Sequence, residues 1–373
     1  MISVFGSKVG EEEIAQVSES IRNQWMGMGP KVKAFEERFR ERLGLDHFLM
    51  VDSGSNSLYM ACVLLGLPAG SEVILPSYTW IFCAHAVLLA GHQPVFADVD
   101  LDSNNITAET IIPQITKKTA AIMVVHYAGL PVDLEPIQAL GFPIVEDAAH
   151  AVDSRYRGKP CGGIGDVGIF SFDAIKNLAV GEGGGVTALK AEVMDRARKL
   201  RYCGIGKSGF EASTGGKKRW WEYEIADVFI KMNPSDIAAG IGLAQLDKLD
   251  ANQAYRKRIW DHFQSEFAGV AWITRPLEAR QGDRHSYFTY GVRVPQRDEF
   301  AQYLLDKGIY TTLRYHPLHL NPIYRQMDLR LPNCERLNEE ALCLPLHPRL
   351  TDAEVEYVVA TVKSFGGRTQ GGR

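Results

Sequence analysis

Features that would assign a chain to a specialised class are scarce in this sequence. Lysine and arginine together number 41 against 45 aspartates and glutamates, so no basic excess indicates a nucleic-acid partner. The most apolar window, "WIFCAHAVLLAG", is interrupted by His85 and is too short to cross a bilayer. The first residues lack the charged and then apolar stretches that are typical of a signal peptide. We therefore expect a cytoplasmic protein with no membrane or nucleic-acid partner.

Cysteine and histidine also lack the spacing of a disulfide framework or a metal site. The six cysteines form no Cys-x-x-Cys motif, and several lie in apolar segments, as small core residues do. His316 and His319 in "RYHPLH" have Pro317 between them. The segment also lacks a carboxylate or cysteine that could complete a metal-ligand set. We expect reduced cysteines and no metal.

What the sequence does contain is a regular alternation of strands and helices along 373 residues. Short apolar runs such as "SEVILPS", "AAIMVVH" and "FPIVEDAAH" predict strands, and the stretches between them mostly predict helices. This pattern indicates a mainly parallel sheet that is covered on both faces. A long helix starting in "PSDIAAGIGLAQL" then links a large domain (1–245) to a small α+β domain (246–373). We expect the tail "GGRTQGGR" to be disordered.

One motif imitates a dinucleotide site. Gly163, Gly165 and Gly168 spell G-x-G-x-x-G, but they precede the apolar strand "IFSF". The dinucleotide fingerprint works only after a strand and at the start of a helix. We interpret these glycines as a tight turn.

A better anion site follows the strand "HFLMVD". Gly54, Ser55 and Asn56 open a helix there, and the backbone N–H groups of a helix N-terminus attract a phosphate. Serine and asparagine are equally common as ordinary helix caps, so this alternative stays open.

Two further residues carry reactive groups near strand ends. Asp147 ends the strand "FPIVED", where a carboxylate can hold a proton on a ring nitrogen or can anchor a loop. Lys176 lies between the apolar "IFSF" and the run "GEGGGV", which we interpret as flexible backbone. Most lysines are solvated surface residues. A lysine that is partly desolvated near positive charge, however, has a lowered pKa and can form an imine with an aldehyde.

A phosphate cradle, an acid for a pyridine nitrogen and an imine-forming lysine are together what pyridoxal 5′-phosphate requires. Their order resembles that of fold-type I enzymes, and nearly the whole chain is similar to the DegT/StrS family of sugar aminotransferases. The most specific matching segments are "EDAAHA" and "FSFDAIKNLAVGEGG", and others include "SGSNSL", "PSYTW", "PVFADVD" and "HPLH". The resemblance implies an α/β fold with an aspartate-aminotransferase-like large domain and a small C-terminal α+β domain.

The resemblance also implies roles around the cofactor. Lys176 is expected to bind the cofactor covalently and to move the substrate proton, while Asp147 pairs with the pyridine nitrogen. Trp80 is expected to stack on the ring, unless it is a core aromatic. His150 is expected near the ring hydroxyl, unless it is only a polar neighbour of the strand end. The residues expected at the phosphate are Gly54, Ser55, Asn56 and Ser171.

Other roles concern the substrate and a second subunit. Many family members carry "NYRM" before the long helix, and their asparagine reaches the phosphate of the neighbouring subunit. Here the segment is "KMNP", so Lys231 is expected to make that contact. The loop 203–225, with Trp220 and Trp221, is less typical and is expected to shape a nucleotide pocket. The residues expected near the sugar are Met28, Tyr315 and His319.

The reaction that the resemblance implies moves an amino group from L-glutamate to a ketosugar linked to a nucleoside diphosphate. The segments "DAAHA" and "SDIAAGIGLAQL" favour a dTDP-4-keto-6-deoxyhexose, which would give the 4-amino sugar. A 3-keto sugar or a cyclitol ketone stays open as the acceptor, and so do a sugar dehydratase and a non-catalytic sensor with the same fold. Dehydratase members replace the lysine with histidine, so Lys176 favours transamination. Sites shared between subunits imply a homodimer.

Overall fold

The computed structural model describes residues 1–206, 219, 221–324 and 328–369. The strands are β1 (Leu49–Val51), β2 (Glu72–Pro76), β3 (Gln93–Ala97), β4 (Thr119–Val125), β5 (Ile144–Asp147), β6 (Arg155–Tyr156), β7 (Lys159–Pro160), β8 (Val167–Ser171), β9 (Gly184–Ala188), β10 (Tyr290–Arg293) and β11 (Ala341–Leu344). Seven of them form one sheet in the order β1-β9-β8-β5-β4-β2-β3. Strands β8, β5, β4, β2 and β3 are parallel neighbours, whereas β9 is antiparallel to β1 and β8. The predicted mainly parallel sheet is confirmed.

Helices cover this sheet and build the rest of the chain. They are α1 (Glu11–Arg22), α2 (Pro30–Leu43), α3 (Gly54–Leu64), α4 (Ile81–Leu89), α5 (Ala108–Ile111), α6 (Leu134–Gln138), α7 (Ala191–Arg201), α8 (Asp236–Glu266), α9 (Arg297–Asp306), α10 (Pro332–Glu340) and α11 (Asp352–Thr369). Short 3-10 turns occupy Ile112–Gln114, Tyr127–Gly129, Leu318–Leu320 and Pro322–Tyr324. Strands β10 and β11 form an antiparallel pair, and β6 and β7 form another.

The two faces of the large sheet pack into separate cores. Helices α3, α4 and α7 cover one face, here called the α3 face, and α2 with the first half of α8 covers the other, the α2 face. Successive side chains of a strand point to opposite faces, so in β5 Ile144 joins the α2-face core and Val145 joins the α3-face core. Glu146 and Asp147, which follow, therefore diverge to the two faces.

Strand β9 corrects the interpretation of "GEGGGV" as flexible backbone. Its glycines are required by close packing: a Cβ on Gly184 would lie 2.3 Å from the Ser53 carbonyl oxygen. A Cβ on Gly185 would lie 2.2 Å from the ring of Phe48. Glycine is normally unfavourable inside a strand, and here it marks close approach of neighbouring groups rather than a loop.

Helix α8 joins the two predicted domains without a break. Ser235 caps it, with its Oγ accepting from the Ala238 N–H at 3.1 Å. Leu243 packs in the α2-face core, whereas Trp260 packs in the core of the small domain. The division expected after residue 245 thus falls inside an unbroken helix.

The two cores also cross that boundary in the chain. Tyr315, Leu318 and Leu337 belong to the α3-face core of the large sheet. At the other terminus, Ile2 pairs with Ile309 of the small domain. The apolar cores therefore do not follow the expected division of the chain at residue 245, since each core includes residues from the other side of it.

Two further expectations concern the ends and the membrane. Helix α11 continues to Thr369, so it includes the start of the tail for which we expected disorder, and 370–373 lie outside the described residues. Among the described residues, no helix combines the length and the apolar character needed to span a bilayer.

Candidate active site

A cavity of about 380 Å³ opens at the carboxyl ends of the parallel strands. Ligand sites in open α/β sheets lie at this edge. The residues that line it include Gly54, Ser55, Trp80, Asp147, His150, Ser171, Lys176, Arg314 and Tyr315. Eight of these nine are sequence-predicted site residues, and the structure brings them together from both halves of the chain.

One end of the cavity is formed by the start of α3. Ser53 is the N-cap, and its Oγ accepts from the Asn56 N–H at 3.1 Å. A Cβ on Gly54 would lie 2.6 Å from Cβ of Ser171, so only glycine allows β8 to come this close. The result is a concave edge where Ser55 and Ser171 face the helix N-terminus, which favours an anion.

Asn56 does not share this position. Its side-chain amide donates to Asp52 Oδ1 at 2.8 Å, and its backbone N–H is already used by the Ser53 cap. Asn56 therefore stabilises the turn that enters α3, while the cavity is lined by Gly54 and Ser55.

Lys176 lies in the turn that connects β8 to β9. Its backbone N–H donates to the Asp173 carbonyl at 2.9 Å. The next residue, Asn177, donates its side-chain amide to the Ser286 carbonyl at 2.7 Å, which fixes the turn against the small domain. The Nζ atom lies 5.1 Å from the centre of the Phe288 ring.

The environment of Lys176 changes its acidity. Burial, with the positive charge of Arg314 adding to its effect and the charge of Asp147 partly opposing it, lowers the pKa of Lys176 to about 7. The side chain remains partly accessible through the cavity. A lysine amine that is neutral in half the molecules near pH 7 can act as a nucleophile and as a base.

Asp147 faces the same cavity from the end of β5. Its Oδ1 accepts from the Ala149 N–H at 2.9 Å, and the Cys83 thiol donates to Oδ2 at 3.3 Å. Burial raises the pKa of Asp147, while the Ala149 N–H and the charge of Lys176 oppose that rise. A buried carboxylate with these weak partners is suited to hold a cationic N–H group of a ligand.

The adjacent carboxylate, Glu146, is hydrogen-bonded on the other face of the sheet, the α2 face. It accepts from the backbone N–H groups of Gly162, Ile164 and Gly165 and bonds His126 Nε2 at 2.9 Å. The G-x-G-x-x-G segment therefore binds a carboxylate of this protein in a tight turn before β8, as the turn interpretation requires.

His150 and Tyr315 form a polar wall of the cavity. The Tyr315 hydroxyl lies 2.9 Å from His150 Nε2, and Arg314 Nη2 lies 3.2 Å from the same nitrogen. Because two donors converge on Nε2, we assign the ring proton to Nδ1. Burial lowers the pKa of His150 well below its usual range, with Lys176 and Arg314 adding to the effect. Nδ1 is buried and has no hydrogen-bond partner among the described residues.

Aromatic rings complete the walls. The ring of Phe288 stacks on His150 at 4.2 Å, with 14° between the planes. The indole of Trp80, which is 49% exposed, lies 6.3 Å from the ring of Tyr315 at the open side. The position of Trp80 at the cavity, with half its surface free, differs from that of a core aromatic.

Besides Asn56, three predicted residues lie outside this cavity. His319 is fully buried, its Nδ1 lies 2.7 Å from Ser77 Oγ, and its backbone N–H donates to the same oxygen. The His319 ring thus has no exposed surface at the cavity, and the expected sugar contact stays a prediction. His319 connects the small domain to the end of β2.

Met28 and Lys231 are also separate from the cavity lining. Met28 is half-buried between α1 and α2, where its carbonyl accepts from the Trp25 indole at 3.2 Å. Lys231 is exposed and pairs with Tyr202 through an isolated bridge. Within the loop 203–225, positions 207–218 and Trp220 lie outside the described residues.

Sequence reasoning missed Arg314, Phe288 and Cys83. Arg314 adopts a left-handed backbone with φ of 77°, which is unfavourable for a residue with a long side chain. Its position beside "YHPLH" was the available signal, because that segment was already assigned to the site. Phe288 and Cys83 resemble core residues in sequence and are fully buried, and only tertiary packing places them against His150 and Asp147.

The residues present fit pyridoxal 5′-phosphate. A helix N-terminus that needs glycine at position 54 suits the phosphate, and a buried carboxylate suits a pyridinium N–H. The orphaned Nδ1–H of His150 offers a donor to a ring oxygen, and Lys176 offers the amine for the aldehyde. Each functional part of the cofactor thus has a matching group on the cavity wall.

Comparisons with known proteins agree with this chemistry. The chain is 36% identical over 367 residues to the dTDP-4-dehydro-2,3,6-trideoxy-D-glucose 4-aminotransferase of Saccharopolyspora spinosa, covering 96% of this chain and 95% of the relative. The crystal structure of the aminotransferase TlmJ from Streptoalloteichus hindustanus matches with a TM-score of 0.92 and 38% identity, covering 99% of this chain and all of that one. The sugar aminotransferase CalS13 from Micromonospora echinospora matches with a TM-score of 0.90 and 26% identity, covering 98% of this chain and 100% of that chain.

A family model covers almost the whole chain. It matches residues 7–363 and is described as the DegT/DnrJ/EryC1/StrS aminotransferase family. The resemblance first noticed in "EDAAHA" and "FSFDAIKNLAVGEGG" is thereby confirmed, and so are the fold class and the dependence on pyridoxal 5′-phosphate. The chain is an aminotransferase and belongs to the DegT/DnrJ/EryC1/StrS family.

Proposed function

We propose that this enzyme transfers the amino group of L-glutamate to a ketosugar linked to a nucleoside diphosphate, in particular a dTDP-4-keto-6-deoxyhexose, giving the 4-amino sugar. The observation that carries the proposal is the pair Lys176 and Asp147, an amine with a pKa of about 7 and a buried carboxylate in one cavity. The 4-keto choice is supported by the Saccharopolyspora spinosa relative, which is a 4-aminotransferase.

Each cavity residue has a specific task in this proposal. When bound, pyridoxal 5′-phosphate supplies an aldehyde and a ring that accepts electrons. Lys176 holds the cofactor and moves the proton at the reacting carbon, since its pKa allows both proton uptake and release near pH 7. Asp147 keeps the ring nitrogen protonated by its negative charge. Gly54, Ser55 and Ser171 hold the phosphate.

The remaining cavity residues orient the ring and the substrates. Trp80 stacks on the ring and restricts water at the open side. The His150 Nδ1–H donates to the ring oxygen, because its other nitrogen is held by Tyr315 and Arg314. We expect Tyr315 to contact the sugar, since it lines the cavity and its hydroxyl hydrogen-bonds His150.

A homodimer with shared sites is part of the proposal. Exposed apolar side chains cluster close to Lys231, where Val228 is 93% exposed and Ile230 is 52% exposed. Large apolar side chains so exposed are typical of a surface that binds another protein. We expect this segment to bring Lys231 to the neighbouring subunit's phosphate, and we expect Met28 beside the sugar at the same interface. Light scattering coupled to size-exclusion chromatography should give twice the chain mass.

The reaction is tested with purified protein, pyridoxal 5′-phosphate and substrate. The visible absorbance band of the bound cofactor should bleach on addition of L-glutamate, and it should return when dTDP-4-dehydro-2,3,6-trideoxy-D-glucose is added. NMR of the product should place the new amine on carbon 4. A product aminated at carbon 3, or a preference for a cyclitol ketone, would overturn the substrate assignment. A dehydrated sugar without an amine would indicate a dehydratase, and a bound cofactor that never turns over would indicate a sensor.

A further inference from the structure

Helix α8 buries an arginine whose charge no carboxylate balances. Arg256 is only 1% exposed, and burial lowers its pKa to about 9. Among the described residues, no carboxylate forms an ion pair with its guanidinium, and its Nε has no hydrogen-bond partner. Burying an unpaired cation is costly, and an apolar side chain of similar volume often gives a more stable protein. Stability of the core therefore does not account for an arginine at this position.

The guanidinium of Arg256 holds main-chain carbonyl groups. Its Nη1 donates to the Leu346 carbonyl at 2.9 Å and to the Phe288 carbonyl at 3.2 Å, and the Tyr287 carbonyl lies at 3.5 Å. Tyr287 has a left-handed backbone with φ of 51°, which is unfavourable for a residue with a bulky side chain. An unpaired charge and a strained residue thus meet at residues 286–288, here called the 286–288 segment.

The 286–288 segment contacts side chains and backbone of the cavity. The Ser286 carbonyl accepts from the side-chain amide of Asn177, which directly follows Lys176, at 2.7 Å. The Ser286 Oγ donates to the His150 carbonyl at 2.6 Å. The ring of Phe288 stacks on His150 and lies 5.1 Å from Lys176 Nζ. This one stretch of backbone therefore fixes the surroundings of both cavity side chains.

We propose that Arg256 is a positioning residue for amino transfer, which acts by holding the 286–288 segment against the cavity. Through this segment it keeps the Phe288 ring beside Lys176 and His150. The inference rests on the role proposed above for Lys176. Displacements of about 1 Å at reacting groups reduce rates strongly, so a reaction at Lys176 requires such support.

Helix α8 holds both sides of this contact. Gln253 accepts from the side-chain amide of Asn177 at 3.2 Å, and Arg256 holds the 286–288 segment. Residues three apart lie on one face of a helix, so the same face of α8 fixes the lysine turn and the segment that meets it.

Release of the segment should change the acidity of the Lys176 amine. Burial is the main cause of its lowered pKa, and the Phe288 ring covers one side of Nζ. Looser packing admits water, which favours the charged amine and raises the pKa of Lys176 toward its ordinary value. The charged and titratable groups that face this amine, all of which Arg256 variants leave in place, are Arg314, Asp147, Asp173, Cys83 and His150.

Three variants and one control test the proposal. Arg256→Met keeps an unbranched side chain but removes the charge and the donors, whereas Arg256→Lys keeps the charge on a single nitrogen. Phe288→Leu removes the ring itself. Phe300→Leu is the control for a general loss of stability, because Phe300 is buried in the small-domain core against Trp272 and Phe365.

The first measurement needs no cofactor. Labelling of Lys176 in the cofactor-free protein with acetic anhydride, followed across pH by peptide mass spectrometry, gives the pKa of this amine. We expect half-maximal reactivity near pH 7 in the parent protein, and about one pH unit higher in Arg256→Met and Phe288→Leu. Arg256→Lys should lie between them, and Phe300→Leu should match the parent protein.

The second measurement is a double-variant cycle in the enzyme loaded with cofactor. Arg256→Met should lower the single-turnover rate about 30-fold, while the half-saturating L-glutamate concentration changes less than about threefold, because position rather than binding is lost. Since Arg256 acts through the Phe288 ring, the double variant Arg256→Met with Phe288→Leu should be no slower than the slower single variant.

An unshifted pKa of Lys176 in both Arg256 variants, an equal shift in Phe300→Leu, or additive rate losses in the double variant would each overturn the proposal. If Arg256→Met does not fold, Arg256→Lys and Phe288→Leu carry the same comparison. A loaded parent enzyme in which borohydride leaves Lys176 unmodified would instead overturn the proposed function.

Discussion

Glu146 and Asp147 are neighbours in β5, are both buried, and have opposite environments. Glu146 lies on the α2 face and accepts three backbone N–H bonds in addition to its contact with His126. Asp147 lies on the α3 face with one backbone N–H and one thiol. Burial alone would raise the pKa of both, but the bonds from His126 and the glycine turn lower that of Glu146 overall. The comparison shows that the protein's own hydrogen-bond donors stabilise the Glu146 carboxylate, whereas the Asp147 carboxylate has few partners and is available to a ligand.

The largest expected effect is on the ligand side. Asp147→Asn should reduce the rate of amino transfer about 10³-fold, because the charge that stabilises the protonated ring nitrogen is lost. The free energy of unfolding of the cofactor-free protein should not fall, since the raised pKa means that the ionised form destabilises the folded state. Single-turnover kinetics and chemical denaturation measure the two quantities. A clear loss of stability with normal rates would reverse the distinction drawn between the two carboxylates.

Glu146→Gln should give the opposite outcome. We expect a loss of about 3 kcal/mol in unfolding free energy, since several buried donors lose a charged acceptor. The rate per folded molecule should change less than about threefold, because the side chain points away from the cavity.

The same substitution has a signature in pH. The pKa of Glu146 is lowered from 4.5 in the folded state, so its ionised form stabilises the protein above that pH. This stabilisation is lost as pH falls through the folded-state pKa. Denaturation curves of the parent protein and Glu146→Gln should therefore converge toward acid. If the difference in unfolding free energy between the two proteins stayed constant from neutral to acid pH, ionisation of Glu146 would not be the source of the stabilisation.

Glycines at the two ends of α3 provide a third test. Gly54→Ala should cost about 2 kcal/mol of unfolding free energy, since its Cβ would lie 2.6 Å from Cβ of Ser171. It should also weaken cofactor binding, measured by fluorescence titration. The matched variant Gly66→Ala has no atom within 4 Å of its Cβ but has a left-handed φ of 62°. It should lose stability through backbone strain and keep its cofactor affinity. Equal affinities in both variants would argue against a phosphate site at α3.

The smallest expected effect is at Cys83. Cys83→Ala removes the thiol that donates to Asp147 at 3.3 Å, and this bond lowers the pKa of the carboxylate. We expect a two- to fivefold decrease in rate, in line with about 0.5–1 kcal/mol for one weak hydrogen bond. Cys83→Ser, which keeps a donor, should recover most of it. A loss as large as that of Asp147→Asn would mean that the thiol contributes more than this bond.

Local patterns in the sequence were sufficient for the sheet and for the reactive pair. Strand ends were visible as apolar runs followed by Asp52, Asp147 and Ser171, because buried parallel strands exclude polar residues until they end. The lysine was recognisable from its motif.

The remaining differences depend on contacts between distant parts of the chain. The glycine-rich β9 was missed because its glycines are required by Ser53 and Phe48, which lie far away in sequence. Arg314 was missed because its left-handed backbone and its aromatic neighbours arise only in the folded chain. The burial of His319 was not visible either, because it depends on Ser77, which follows β2 and hydrogen-bonds the ring.

The central claim is that Lys176 binds the cofactor covalently, and reduction of the purified holoenzyme with borohydride tests it directly. Reduction fixes the bond between the amine and the cofactor, and peptide mapping by mass spectrometry then locates the added group. The account predicts one modified side chain, Lys176, in the segment after β8, and no modification in Lys176→Ala. A tag on another lysine, or an unmodified protein that still transfers amino groups, would contradict it.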